Sequence, residues 1–131
     1  MILDTSAIMA VLKQEPEAAA FAAAMAGARQ PAMSAATWLE AAIVADSPGD
    51  AVVSLAFDHL VEGFEIVPVT AGQATRARLA YRAWGRGNHP ARLNYGDCFA
   101  YALAQERGEP LLFKGGDFAQ TDITPALPAR P

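Results

Sequence analysis

Four short apolar runs, at residues 1–3, 31–33, 64–69 and 111–113, constrain this chain more than any other feature. Met1-Ile2-Leu3 and Leu111-Leu112-Phe113 are apolar throughout, the pattern of a strand buried on both faces. Phe64 to Val69 alternates and is rich in β-branched residues, and Pro31-Ala32-Met33 is a shorter candidate. The stretches between the runs have helical spacing: 5–13, with Ile8, Val11 and Leu12 on one side; 16–28, with Phe21 and Met25 four apart; then 35–46, 50–62, 70–84 and 94–107. Ser34, Asp50 and Asn94 read as N-caps, Thr70 with Gln73 as a capping box, Pro16 as a first-turn residue and Gly108 as a C-cap. Strands that alternate with helices build a parallel sheet covered on both sides, so the expected architecture is a three-layer α/β/α fold. The 131 residues suit one domain, over residues 1–124. Residues 125–131 hold three prolines and are expected to form a flexible tail.

In open parallel sheets, ligands bind at the carboxyl ends of the strands. Asp4 and Asp117 fall there, after the first and last runs. Glu40 is the one charge between Pro31 and Ala45, and Asp97 the one charge between Leu93 and Ala104. A carboxylate beside a core is costly without compensation, and no basic residue lies within helical reach of Glu40 or Asp97. Each has a plain structural reading as well: a helix-dipole partner for Asp97, a solvent-facing position for Glu40, a turn for Asp117. Taken together they suggest an oxygen-donor site for a hard divalent cation, Mg²⁺ or Mn²⁺. No Cys/His spacing supports zinc.

The net charge is −4, yet residues 70–94 contain no acid and five arginines, Arg76, Arg78, Arg82, Arg86 and Arg92, which leaves −9 on the rest. Such asymmetry predicts a basic face able to contact phosphates, with Lys114 nearby, or a solvated helix whose arginines pair with distant acids. Cys98 is the sole cysteine, which excludes an intramolecular disulfide. Neither a signal peptide nor a membrane span is apparent, and a cytoplasmic location is expected. His59 and His89 read as structural, Cys98 as packing, and Trp38, Trp84 and Tyr81 as core or interface.

Several segments resemble one family. Met1-Ile2-Leu3-Asp4-Thr5-Ser6-Ala7-Ile8 is similar to the start of a PIN domain, and Ser34 to Glu40 to its second acidic motif. The block from His89 to Ala104, with Asn94-Tyr95-Gly96-Asp97 at its centre, resembles VapC-type toxins, as do Pro110 to Phe118 and Thr121-Asp122-Ile123. The resemblance implies a mostly parallel five-stranded sheet and an acidic quartet of Asp4, Glu40, Asp97 and Asp117, with Ser6, Asn94 and Thr121 in support. It implies a metal-dependent endoribonuclease, the ion held mainly by Asp4 and Asp97 and acidifying a water that attacks RNA. Many relatives carry Asp or Asn where Gly116 stands, which leaves Asp117 as the one carboxylate of its loop. A VapB-like antitoxin and a homodimer are the implied partners, and the alanine-rich helices 16–28 and 35–45 are candidate docking surfaces. Two alternatives stand beside this: a PIN nuclease of RNA maturation, and a non-enzymatic, receiver-like metal-binding regulator. Thr5, where a receiver would want a second acid, argues against the regulator.

Overall fold

The computed structural model describes residues 1–128. It contains β1 (Ile2–Leu3), α1 (Thr5–Leu12), α2 (Ala18–Gly27), β2 (Ala32–Ser34), α3 (Ala35–Asp46), α4 (Ala51–Val61), β3 (Glu65–Val67), α5 (Ala71–Trp84), α6 (Tyr95–Arg107) and β4 (Leu111–Leu112), followed by a 3₁₀ turn (Phe118–Gln120). The strands are short, and β1 and β2 pass almost directly into the helices that follow them. Asp4, Ser34, Asp50, Thr70 and Asn94 each cap the helix that follows, as their side-chain chemistry predicts. Pro16 lies in a turn before α2 and is not its first residue.

All pairings are parallel, in the order β3-β2-β1-β4. Adjacent residues point to opposite faces of each strand, and the pairs divide accordingly. Ile2, Ala32 and Leu111 join a core with Ala77, Ala80, Tyr101 and Leu103 of α5 and α6. Leu3, Met33 and Leu112 join a second core with Ile8, Phe21, Met25, Ala41 and Phe57 of α1 to α4. Each sheet face is therefore covered by helices, and the three layers expected from the alternation are present.

The sheet has four strands among the described residues, where five were expected by resemblance. The fifth position, beside β4, is reduced to a single parallel bridge between Leu111 and Pro125. Leu111 N–H donates to Thr124 O at 2.9 Å and Ala126 N–H to Leu111 O at 2.8 Å. The segment expected to leave the domain at residue 125 thus stays on it: Ala126 and Leu127 pack against the second core. Residues 129–131 of the expected tail lie outside the described residues.

The strand order identifies where a site should form. The chain builds outward from β1 through β2 to β3, then crosses to the far side of β1 for β4. The switch point lies between β1 and β4, and in open parallel sheets ligands bind at such a point, at the strands' carboxyl ends.

Candidate metal centre

Asp4 ends β1 at this switch point and caps α1. It is 4% exposed, and its Oδ2 accepts hydrogen bonds from Ser6 N (3.0 Å) and Ser6 Oγ (2.6 Å). Ser6 Oγ in turn accepts from Lys114 N at 3.0 Å, which ties the β1 end to the loop after β4. Burial raises the Asp4 pKa, the Ser6 hydrogen bonds pull it down, and the charge of Glu40 raises it again.

Asp97 sits on the first turn of α6 in a reciprocal cap. Asn94 N donates to Asp97 Oδ2 at 3.0 Å, and Asp97 N donates to Asn94 Oδ1 at 2.9 Å. This orients one carboxylate oxygen and leaves the other without a hydrogen bond among the described residues. Burial, opposed by the Asn94 backbone bond and joined by the charges of Asp4, Asp117 and Glu40, pushes the Asp97 pKa up to about 6. The four acids are thus near enough for each of the other three to act on Asp97.

Glu40 is half-buried on α3, which packs against α6. Its carboxylate lies on the α6 backbone at Gly96: a methyl group built on Gly96 would stand 1.9 Å from Glu40 Oε2. Asp117 is exposed at the head of the 3₁₀ turn and makes no capping hydrogen bond.

None of the four carboxylates enters an ion pair among the described residues, whereas Glu15, Glu17, Glu62, Glu65 and Glu109 all do. One turn before Glu40, the hydroxyl of Thr37 is buried without a hydrogen-bond partner. Unpaired acids, an orphaned hydroxyl and oxygen as the donor fit a hard divalent cation. Among the described residues no group of three or more Asp, Glu, His or Cys side chains is gathered tightly enough to hold an ion as it stands.

A stability consequence follows. Asp4 and Asp97 have folded pKa values above their unfolded ones, so they take up protons on folding. For Asp97, stability from the protonated form is complete below the unfolded value of about 3.9 and is lost as pH rises through about 6, and Asp4 acts in the same direction. For Asp97, partly open to solvent, the loss is on the order of 1–2 kcal/mol after screening. In chelator, the denaturant midpoint should fall between pH 4.5 and 7.5, and Mg²⁺ or Mn²⁺ should restore it at the higher pH. A midpoint indifferent to both would contradict the assignment of these acids.

The other candidates separate clearly. Ser6 and Asn94 brace carboxylates, as described. Thr121 instead shapes its own loop, donating to Phe118 O at 2.7 Å and accepting from Ile123 N at 3.2 Å. Lys114 pairs with both Glu15 and Glu17, so its charge is already answered. Arg76, Arg78, Arg82, Arg86 and Arg92 are exposed and enter no ion pair among the described residues, which disfavours the solvated, internally paired alternative. Arg86 lies beyond α5, because the helix ends where Gly85 closes on Tyr81: a methyl there would be 2.3 Å from Tyr81 O. His59 is exposed beside Glu62, and His89 Nδ1 accepts from Ala91 N while its ring stands edge-on to Trp84. Burial and the Asp97 charge push the Cys98 thiol up to about 11, so it remains an inert packing residue.

Two features escaped the sequence. Gly96 is one: glycine two residues past a helix cap signals that something approaches the backbone. The other is a partly buried chain in which Trp84 Nε1 donates to Tyr101 Oη (3.2 Å) and Tyr101 Oη donates to Asp122 Oδ1 (2.5 Å). It fastens the loop after the 3₁₀ turn to α5 and α6. Tyr101→Phe should cost roughly 1–3 kcal/mol, because it strands the indole N–H; equilibrium denaturation would measure it, and an unchanged midpoint would show the chain to be incidental.

Known proteins resemble this chain in sequence and in fold. A family model described as the PIN domain matches residues 1–123. Ribonuclease VapC28 of Mycobacterium tuberculosis is 54% identical over 99% of this chain and 100% of its own length. Among solved structures, Mycobacterium tuberculosis VapC20, described as a sarcin–ricin-loop-cleaving toxin, superposes with a TM-score of 0.75 at 15% identity, covering 94% of this chain and 95% of the other. A toxin–antitoxin complex from Klebsiella pneumoniae contains a chain with a TM-score of 0.71 at 21% identity, over 92% of each. At those identities the two structures speak for the fold.

Proposed function

This chain belongs to the PIN-domain family, among the VapC-type ribonucleases, and on that footing we propose that it cuts RNA as the toxin of a toxin–antitoxin pair. The observation that carries the reading is the set of four carboxylates near the switch point: the charges of Asp4, Glu40 and Asp117 act on Asp97, and none of the four pairs with a basic side chain among the described residues. Asp4 and Asp97 would hold a divalent ion, Mg²⁺ or Mn²⁺, with Glu40 and Asp117 completing its surroundings. Such an ion, when bound, acidifies a water and neutralises charge on the scissile phosphate.

The chain's own residues do the rest. Ser6 and Asn94 fix the carboxylates of Asp4 and Asp97 by hydrogen bonds that also cap α1 and α6, so the two acids are held by the helices themselves. Glu40 is positioned to take a proton from water beside the α6 N-terminus. The arginines of residues 76–92 would hold the RNA backbone, a contact without sequence preference that weakens with salt.

The relatives' naming and the toxin–antitoxin neighbour favour an antitoxin partner. Of the expected docking helices, α3 is retained and α4 joins it. Helix α2 buries Phe21 and Met25 and turns mainly alanines outward, whereas α3 and α4 expose Leu39, Ile43, Val52 and Leu55. We place an apolar antitoxin helix there. No helix among the described residues is long and apolar enough to cross a membrane.

The test is cleavage of total RNA by purified protein with Mg²⁺ or Mn²⁺. Cleavage stopped by chelator and restored by added ion is the expected result. Cleavage indifferent to chelator, or none with either ion, would overturn the reading. Growth arrest on expression, relieved by the product of an adjacent small gene, would separate a toxin from an RNA-maturation nuclease.

A further inference from the structure

An open groove of about 670 Å³ runs between α5 and α6, and it meets the metal centre at Asn94, the residue that caps Asp97. Its lining is mostly apolar and aromatic, with Ala77, Tyr81, Tyr95 and Phe99, and two arginines, Arg78 and Arg86, border it. We propose that this groove is a base-binding subsite that takes an unpaired nucleobase of the RNA beside the cleaved bond; this rests on the nuclease reading above.

Three observations carry it. First, Tyr95 is 80% exposed although it begins α6, one residue from Asn94 and two from Asp97. Its ring stands edge-on to Phe99 at 4.9 Å between centroids, which braces it and leaves a face open. Tyr81, 43% exposed, supplies a second ring. Aromatic faces stack on any base.

Second, Arg78 and Arg86 have no acidic partner among the described residues, and each can reach a phosphate while a base lies in the groove. A second copy docked two-fold on the groove would gather four arginines, two from each copy, and the lining holds no acid to answer them. A purely apolar helix would leave both guanidiniums unanswered.

Third, the groove is built in advance. Tyr81 Oη donates to Arg86 O at 3.1 Å, Asn88 Nδ2 donates to Tyr81 O at 3.1 Å, and Arg86 N donates to Leu93 O at 2.9 Å. These bonds staple the loop that carries Arg86 to α5 and to the entry of α6, so little ordering is left for the RNA to drive. The subsite would also exclude duplex RNA, whose bases are stacked and paired.

The experiment is stopped-flow anisotropy in Mg²⁺ with two labelled probes, a single-stranded oligouridylate and an oligomer of equal length made of abasic nucleotides. Tyr95→Ala should weaken oligouridylate binding about 10-fold and leave the abasic probe unaffected, while Tyr95→Phe should bind both like the wild type. Equal loss on both probes, or no loss on either, would overturn the subsite. Lost self-association in sedimentation velocity with RNA binding intact would assign the groove to contacts between copies. If the wild-type protein neither binds nor cuts RNA, the nuclease reading fails first and the subsite falls with it.

Discussion

Replacing Asp97 with asparagine should reduce RNA cleavage by at least ~10³-fold while the protein stays folded. The expected size follows from the several kcal/mol of transition-state stabilisation that a well-held divalent ion supplies, at about 1.4 kcal/mol for each factor of ten. The fold survives because asparagine keeps an oxygen that can accept from Asn94 N, so α6 remains capped. Removing one negative charge from a cluster of four also relieves repulsion, and the metal-free variant should lose much of the pH dependence of stability described above. Asp4→Asn should behave alike, since Ser6 can still donate to the amide oxygen. Single-turnover cleavage and equilibrium denaturation on the same preparations check both halves. Full activity in both variants would remove Asp4 and Asp97 from the chemistry, and global unfolding would show that their role is structural.

The second large effect comes from a residue with no side chain. Gly96→Ala should lower cleavage by about 10²-fold, within the range for losing a proton-transfer group, while stability holds or rises by up to about 1 kcal/mol. Alanine is the better helix former, and Gly96 has no left-handed φ that would strain it. What alanine cannot do is share space with Glu40: its methyl would fall 1.9 Å from Oε2, and the carboxylate must leave. A double-mutant cycle isolates the cause. In a Glu40→Gln background that has already lost the function, adding Gly96→Ala should cost little more. If the two losses multiply instead, glycine matters for another reason, such as RNA approaching the α6 backbone. If Gly96→Ala is fully active, Glu40 has no fixed place in the mechanism.

The layers of this fold were legible because the sheet is buried on both faces. Ile2 and Leu3, and Leu111 and Leu112, serve opposite cores, and such pairs leave apolar runs that polarity marks out in the sequence. Caps were legible because Ser34, Asp50, Thr70 and Asn94 act on backbone within three residues. Long-range pairing was not. Lys114 looked like a phosphate contact until the turn before α2 brought Glu15 and Glu17 beside it. Thr121 resembled a site residue, yet its hydroxyl closes its own loop. The edge of the sheet at Pro125 depends on Leu111, fourteen residues earlier, and proline composition alone pointed the other way. The carboxylates stood out as lone charges in apolar surroundings, which is a local property. The bracing of Asp4 through Ser6 to Lys114 N, the Tyr101 to Asp122 link and the cradle at Gly96 each join segments that local patterns cannot connect.

The most direct measurement of the central claim is anomalous diffraction from crystals grown or soaked with Mn²⁺. The account predicts a single strong peak flanked by the carboxylates of Asp4 and Asp97, with Glu40 and Asp117 drawn toward it. A peak elsewhere, or none while Asp4 and Asp97 turn away from one another, would contradict it.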